Sequence, residues 1–365
     1  MRARIQKSSK NSWVIILSTG FDPITHKYKT KWITVRGPRA EAERRKNEIL
    51  RQYDLTGFIA DTKTTTGAFL ARWIDTKSNI GIRSKERYAQ IIRQYFIPEF
   101  GKVPLTQLRP DHIQAHLSKI QNEGLSASTA RYHYCVIHGA LETAVKWVLI
   151  YRNAADAVEL PKIEHSEMQY WDADEMNQFL QHLIGNPYYP LFYTALFTGM
   201  RRSELLGLRW GDIDLLMCQL SVRRTLQRKE DGSYYFTDVK SKKSKRTIDL
   251  TPSTVDVLRR HCANSAFSKP DDLVFAVKGE PMRPNTITRA WQSACSASGV
   301  KVIRFHDSRH THATLLLKQG VHPKIVQERL GHSTIAITLD TYSHVIPGMG
   351  KAAAQKFDEL LLKPL

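Results

Sequence analysis

The chain is short of acidic residues and of cysteine, and it has no long apolar run. Its 365 residues hold 35 Asp and Glu against 54 Lys and Arg, a net charge of +19. The four cysteines, Cys135, Cys218, Cys262 and Cys295, lie far apart and form no C-x-x-C pair. That spacing argues against a zinc finger or a disulfide framework, and scattered thiols suit a reducing cytoplasm. No stretch approaches the roughly 20 consecutive apolar residues of a membrane span. The start "MRARIQKSSKNSW" lacks the apolar core of a secretion signal. No internal repeat is visible. These absences lead to the expectation of a soluble, cytoplasmic protein. The deficit of acid puts the pI near 9.8, the footprint of a protein that neutralises phosphates. Ribosomal and membrane-surface proteins share that signature, so composition alone favours nucleic acid without deciding for it.

The length fits two or three domains. "SWVIILSTGF" and "YKTKWITV" read as strands around the turn "DPITHK", and "GPRAEAERRKNEILRQY" follows as a helix with Pro38 near its first turn. Residues 1–53 hold thirteen Lys and Arg against four Asp and Glu, a net of +9. A solvated basic face would account for this, but so much charge in one small module favours DNA contact.

The polar joint "TGFIADTKTTTG" leads into a helical region from about Ala68 to Val158. Tyr88, Ile91, Ile92, Tyr95 and Phe96 fall on one helix face, which Pro98 and Gly101 are expected to end. "RPDHIQAHLSKIQNEG" makes a second helix, stopped at Gly124. Ser128 is a candidate cap for a third, with Val136, Ile137, Ala140, Leu141, Ala144, Val145 and Val148 as its buried stripe. After the linker "LPKIEHSEMQY", Asp172 with Glu175 forms the signature of a capping box opening a new domain. The pattern is helical to about Leu216, a strand meander between Gln219 and Leu250, and helical again beyond Thr251. The expected fold is multidomain and mainly α with small β elements (α+β), divided at 1–57, 64–160 and 168–365.

Four stretches of the last domain could carry chemistry. In "TGMRRSELLGLRWGDID", residues 198–214, Gly199 breaks an apolar helix and Arg201 follows, where it could be aimed into a cleft while the leucines pack. In "VKSKKSKRTIDL", Lys240 is expected at the end of a strand, although lysine-rich turns are usually solvated tips. "RFHDSRHTHATLLLKQG", residues 304–320, invites a metal reading through His306, His310 and His312. Arg309 among them would repel a cation, and Asp307 better suits a helix N-cap. Histidine beside arginine describes an oxyanion or phosphate site instead. Finally, "LGHSTIAITLDTYSHV" places His332 after Gly331 and Tyr342 in a polar setting.

In the order Arg, Lys, His-x-x-Arg, His, Tyr, these stretches resemble the boxes of the tyrosine recombinases, or phage integrase family. The resemblance covers about residues 166–350 well. The amino-terminal regions resemble, less specifically, the arm-binding and core-binding (SAM-like) domains of the longer integrases. The resemblance implies that Arg201 and Arg309 grip a scissile phosphate and that Lys240 protonates the leaving 5′-oxygen. Lys242 and Lys243 stand close by in the same turn. It implies that His306 transfers a proton or donates a hydrogen bond, that His332 donates to the phosphate, and that Tyr342 is the nucleophile. Glu204 and Asp307 match acidic positions with a structural part. Asp249 departs from the family, which often has proline there.

The chemistry suits those residue types. Attack on a phosphodiester builds negative charge that many nucleases meet with two metal ions. No carboxylate cluster is evident here, so fixed cations must substitute. A free tyrosine, with pKa near 10, is a poor nucleophile at neutral pH, and a positive site is expected to favour the phenolate in the transition state. A covalent 3′-phosphotyrosyl link would preserve bond energy for resealing without ATP or another cofactor. The implied partners are double-stranded DNA at core and arm sites, a homotetramer on that DNA, an excisionase and a DNA-bending host factor, with no membrane. The C-terminal "AAAQKFDELLLK" is expected to form an amphipathic helix docking on its own or a neighbouring subunit. The alternatives are a type IB topoisomerase, a cleavage-inactive DNA-binding protein and a metal-dependent nuclease. Chelator would abolish only the last activity.

Overall fold

A computed structural model describes residues 2–22, 27–56, 64–163, 168–229, 231–239 and 245–342, together with Ala354, Phe357 and Asp358. The chain divides into two compact units, residues 1–165 and 166–365.

The first unit opens with an antiparallel sheet ordered β1 (Arg2–Ser9), β2 (Ser12–Asp22), β3 (Lys27–Arg36), followed by α1 (Arg39–Thr56). Side chains two apart on a strand share a face. Ile15 and Leu17 of β2 therefore bury together, with Ile5 and Ile33 paired on either side of Ile15 and Ile49 of α1 against them. Two strands are expected from the sequence and three are found. In β1 the alternation is carried by only Ala3 and Ile5 among charged and polar residues.

The helical part of this unit has its own core. It comprises α2 (Thr66–Thr76), α3 (Ile82–Ile91), a π-helical turn (Ile92–Phe96), α4 (Ile97–Phe100), α5 (Pro110–Asn122) and α6 (Ala127–Lys146). Gly101 ends this helix as expected, but Pro98 does not stop it. Proline lacks an N–H and crowds the carbonyl four residues back. The wider turn, closed by the Ile97 N–H to the Ile92 carbonyl, takes up that misfit, and the helix runs to Phe100. The cap of α6 is Ser126 rather than Ser128: its Oγ accepts from the Thr129 N–H at 3.2 Å. Val136, Ile137, Ala140, Leu141 and Ala144 are buried as expected, whereas Val148 lies beyond the helix and is exposed.

The second unit starts with α7 (Ala173–His182), whose Asp172 and Glu175 form the expected capping box with bonds of 2.8 and 3.0 Å. Next come α8 (Tyr189–Thr198), α9 (Arg202–Leu205) and the strands β4 (Ile213–Asp214), β5 (Gln219–Val222), β6 (Arg224–Arg228), β7 (Tyr234–Asp238) and β8 (Arg246–Asp249). These strands are not a meander. "LSVRRTLQ" breaks at Arg223 into β5 and β6; β5 lies between β4 and β8, and β6–β7 is a separate hairpin. Helix α10 (Pro252–Ala263), a short hairpin of β9 (Ala276–Val277) and β10 (Glu280–Pro281), and α11 (Pro284–Ser298) follow. The unit ends in α12 (Asp307–Lys318), α13 (Pro323–Leu330) and α14 (Ile335–Tyr342).

Its core centres on Trp171 and Trp291, stacked with ring centroids 5.1 Å apart and surrounded by Phe179, Phe192 and Phe305. Each indole N–H finds a backbone carbonyl, Lys301 for Trp171 and Ile303 for Trp291, as a buried polar group requires. Among the described residues, no helix is long and apolar enough to cross a membrane. The expected C-terminal amphipathic helix lies outside the described residues apart from Ala354, Phe357 and Asp358.

Candidate active site

Two glycines set the site's frame. Gly199 ends α8 with φ +63 and Gly331 ends α13 with φ +67, the left-handed region glycine enters without strain. A Cβ on Gly199 would lie 2.7 Å from His312 and from Leu330. The chain there is a turn and a packing surface at once. Arg201 follows in extended backbone, and its N–H bonds Glu204 Oε2 at 2.9 Å.

Glu204 is almost fully buried and collects two guanidinium groups. Arg201 Nη1 reaches Oε1 at 2.8 Å, and Arg246 donates to Oε1 and Oε2 at 3.2 and 2.9 Å. Burial alone would raise this carboxyl; the bonds to Arg246 and the charges of Arg246 and Arg201 outweigh it and hold it at about 2. Arg246 also donates from Nε to the Arg329 carbonyl at 2.7 Å. Arg309, 3% exposed, is fixed by the carbonyls of Gly199 and Leu330, each at 2.7 Å. Burial, then the charges of Arg201 and Arg246, pull its guanidinium down to about 9. It stays protonated at neutral pH, and the direction marks a site short of negative charge.

Arg201, His306, Arg309, His332 and Tyr342 line one cavity of about 330 Å³, with His310. Five of the six residues singled out by the resemblance thus meet in one place. The sixth, Lys240, lies outside the described residues, as do Lys242 and Lys243. His332 is held by its Nδ1 against Thr338 Oγ1 at 2.9 Å. Burial and the charge of Arg309 bring its imidazole to about 3, and the same two causes lower His306.

Tyr342 is the last described residue of α14. The span after His332 is helical because α14 packs on α13, overriding the weak helix propensity of its Thr and Ile residues. The tyrosine ring is 1% exposed among Ala313, Leu317, Val326 and Leu330. Its hydroxyl meets His310 Nδ1 at 2.7 Å. Packing and a hydroxyl held by a cavity-lining histidine are therefore combined in one side chain. The expected positive field is present but does not prevail at rest. Burial pushes the phenol to about 12, against the lowering effect of Arg309.

The three histidines of the second box do not form a metal site. His312 is buried with Nδ1 against the Leu196 carbonyl at 2.9 Å, while Arg329 Nε points at its Nε2 at 3.1 Å. The arginine can only donate, so Nε2 accepts, Nδ1 carries the proton, and the ring is neutral. The acids nearby are also engaged. Asp307 is not an N-cap but the first residue of α12, and it accepts from the Arg304 N–H at 2.9 Å and from the Arg304 guanidinium at 2.8 Å.

Sequence reasoning missed Arg246 and passed over His310 as one of a candidate metal group. Arg246 was hidden in a lysine-rich turn. Its signal was strand alternation: it stands two before Ile248, which is 1% exposed, so both face inward. His310 stands four after His306, on the same helix face.

Comparison with known proteins finds similar sequences and similar folds. Residues 169–348 match the phage integrase family, and residues 65–121 match the phage integrase N-terminal SAM-like domain. The ICEBs1 integrase of Bacillus subtilis is 26% identical, over 98% of this chain and 100% of that relative. A Tn1549 transposon integrase in complex with circular-intermediate DNA superposes with a TM-score of 0.72 at 22% identity, covering 81% of this chain and 100% of that one. A lambda integrase tetramer bound to a Holliday junction gives 0.60 at 19% identity, covering 93% and 94%. With the two family matches joined by a relative aligned along nearly its whole length, the chain belongs to the phage integrase family, the site-specific tyrosine recombinases that serve as integrases of mobile elements.

Proposed function

We propose that this chain cleaves and rejoins double-stranded DNA through a 3′-phosphotyrosyl link at Tyr342, integrating and excising a mobile element. The observation that carries this reading is the shared cavity: Tyr342 borders the same space as Arg201 and Arg309. A phosphodiester there meets two guanidinium groups held in advance by Glu204 and by backbone carbonyls. Preorganised donors of this kind contribute about 2.7–4 kcal/mol each to an oxyanion-like transition state.

In this reading the Tyr342 oxygen attacks phosphorus and the bond to the 5′-oxygen breaks. His306 and His332 donate to the phosphate oxygens, and Lys240 protonates the leaving oxygen. The charge supplied by arginine stands where other enzymes place metal ions, and resealing draws on the phosphotyrosyl bond, with no cofactor.

Three modules serve the function. Residues 1–57, with a net charge of +8 of the chain's +19, bind arm-type DNA sites; residues 64–160 clamp the core site; residues 168–365 cut. Linked modules gain avidity when both sites can be reached together. Assembly as a tetramer on DNA is supported by the similar lambda integrase, a tetramer bound to a Holliday junction.

A nicked suicide duplex tests the proposal. The expected result is a covalent adduct that persists in chelator and disappears in Tyr342→Phe. An adduct surviving that substitution, or lost with chelator, overturns it.

A further inference from the structure

The resting site poses a problem of one proton. Tyr342 enters the reaction as a phenol, 1% exposed, and at neutral pH hydroxide is too scarce to take its proton. Some group must take the proton as the oxygen attacks. His332 commits its Nδ1 to Thr338. His306 stacks edge-on against His310, with ring centroids 5.3 Å apart. His310, reaching across from α12 to α14, has its Nδ1 2.7 Å from the Tyr342 hydroxyl. That is the distance of a strong O–H···N contact and within reach for proton transfer.

We propose that His310 is a further catalytic residue: its Nδ1 accepts the phenol proton as Tyr342 attacks phosphorus and returns it when the strand is resealed. The inference rests on the reading of Tyr342 as nucleophile. Every bond is accounted for. The Oη–P bond forms, the bond from phosphorus to the 5′-oxygen breaks, the phenol proton moves to His310, and the leaving oxygen takes a proton from its own donor. Resealing runs the same steps backward.

The surroundings fit the task. Burial, then the charge of His306, bring His310 down to about 4, with Arg309 and Arg304 lowering it and Asp307 raising it. The ring is therefore neutral at neutral pH and keeps a lone pair for the phenol in its Nε2–H tautomer. The phenol, at about 12, does not give up its proton at rest. Transfer must accompany attack, because the oxygen loses its basicity as it becomes a phosphate ester. A bound phosphodiester also adds negative charge to the cavity, which raises the imidazole toward the working pH, where a general base is most effective.

The test is His310→Asn, which can hold the hydroxyl but cannot take its proton. Single-turnover cleavage is measured on nicked duplexes with an ordinary 5′-oxygen and with a 5′-bridging sulfur as leaving atom. A sulfur leaving group needs no proton, so it rescues the loss of an acid but not of a base. The expected result is cleavage about 10²–10⁴-fold slower on both substrates, with a deficit that shrinks as pH rises from about 6 to 9 and hydroxide takes over. Replacing Tyr342 by a more acidic fluorotyrosine should recover part of the lost rate in His310→Asn. A full rate on sulfur would reassign His310 to the leaving group. A pH-independent deficit unrelieved by fluorotyrosine would make it a positioning residue, and an unchanged rate would remove it from the reaction. Each of these overturns the proposal while leaving Tyr342 as nucleophile; an adduct in Tyr342→Phe would instead overturn the reading beneath it.

Discussion

Two places in this molecule bury polar rings, and they do so on opposite terms. In the helical core of the first unit, His116 and His133 lie against each other, Nε2 to Nδ1 at 3.2 Å, among Tyr95, Phe96 and Phe100. Their outer nitrogens, His116 Nδ1 and His133 Nε2, have no partner. Burial lowers both, His133 to about 4, so the pair is neutral and closed in by aromatic rings. In the second unit the buried histidines are also neutral, but they stand beside Arg201 and Arg309 around an open cavity, with Arg246 paired to Glu204 behind them. The difference lies in the cation excess and the space left for an anion. Burial of histidine by itself indicates packing; burial beside fixed arginines with room for a ligand indicates chemistry.

The comparison can be broken at four points, from the largest effect to the smallest. Tyr342→Phe should abolish the covalent adduct altogether, while His116→Ala, once folded, should leave cleavage within about twofold of the unaltered protein, both read on the suicide duplex. Glu204→Gln should cost about 3–5 kcal/mol of stability, the range for breaking a buried pair, as measured by denaturant unfolding of the second unit. The sign of its pH dependence follows from a carboxyl lowered from 4.5 to about 2. Its contribution is complete above 4.5 and is lost as pH falls toward 2, so the drop in that window should be missing in Glu204→Gln.

Arg201→Ala should slow cleavage by about 10²–10³-fold, equivalent to about 2.7–4 kcal/mol, with a smaller effect on fold because this side chain is partly exposed. His116→Ala should cost about 1–3 kcal/mol by orphaning His133 Nδ1. The intact pair should also weaken the first unit as pH falls. A histidine lowered from 6.5 to about 4 supports the fold fully above 6.5 and loses that support on the way down to 4. Hydrogen exchange along α5 and α6 of the whole chain would show it.

How far the sequence could be read depended on how local the signal was. The capping box at Asp172, the stop at Gly199 and the buried stripe of α6 from Val136 to Ala144 are local, and the structure has them as expected; Val148 falls past the helix end and is exposed. The long-range features were not legible. Nothing near Gln219 says that β5 pairs with β8, thirty residues on, rather than with its neighbour in sequence. Pro98 reads as a helix stop because the π-helical turn that absorbs it has no sequence mark of its own. The site split the same way. Arg201, His306, Arg309, His332 and Tyr342 stand in recognisable boxes, and the cavity unites them. Arg246 joins them through a strand pairing hidden behind a basic turn, and His310 through a contact between α12 and α14.

The central claim is that Tyr342 becomes joined to the 3′ side of a DNA break. Trypsin would release it within Leu330–Lys351, a peptide with no other tyrosine. Mass spectrometry of the trapped complex should find that peptide joined to a 3′-phosphate, with a free 5′-hydroxyl across the same break. A DNA link on a different peptide, or a 5′-phosphotyrosyl link, would contradict the account.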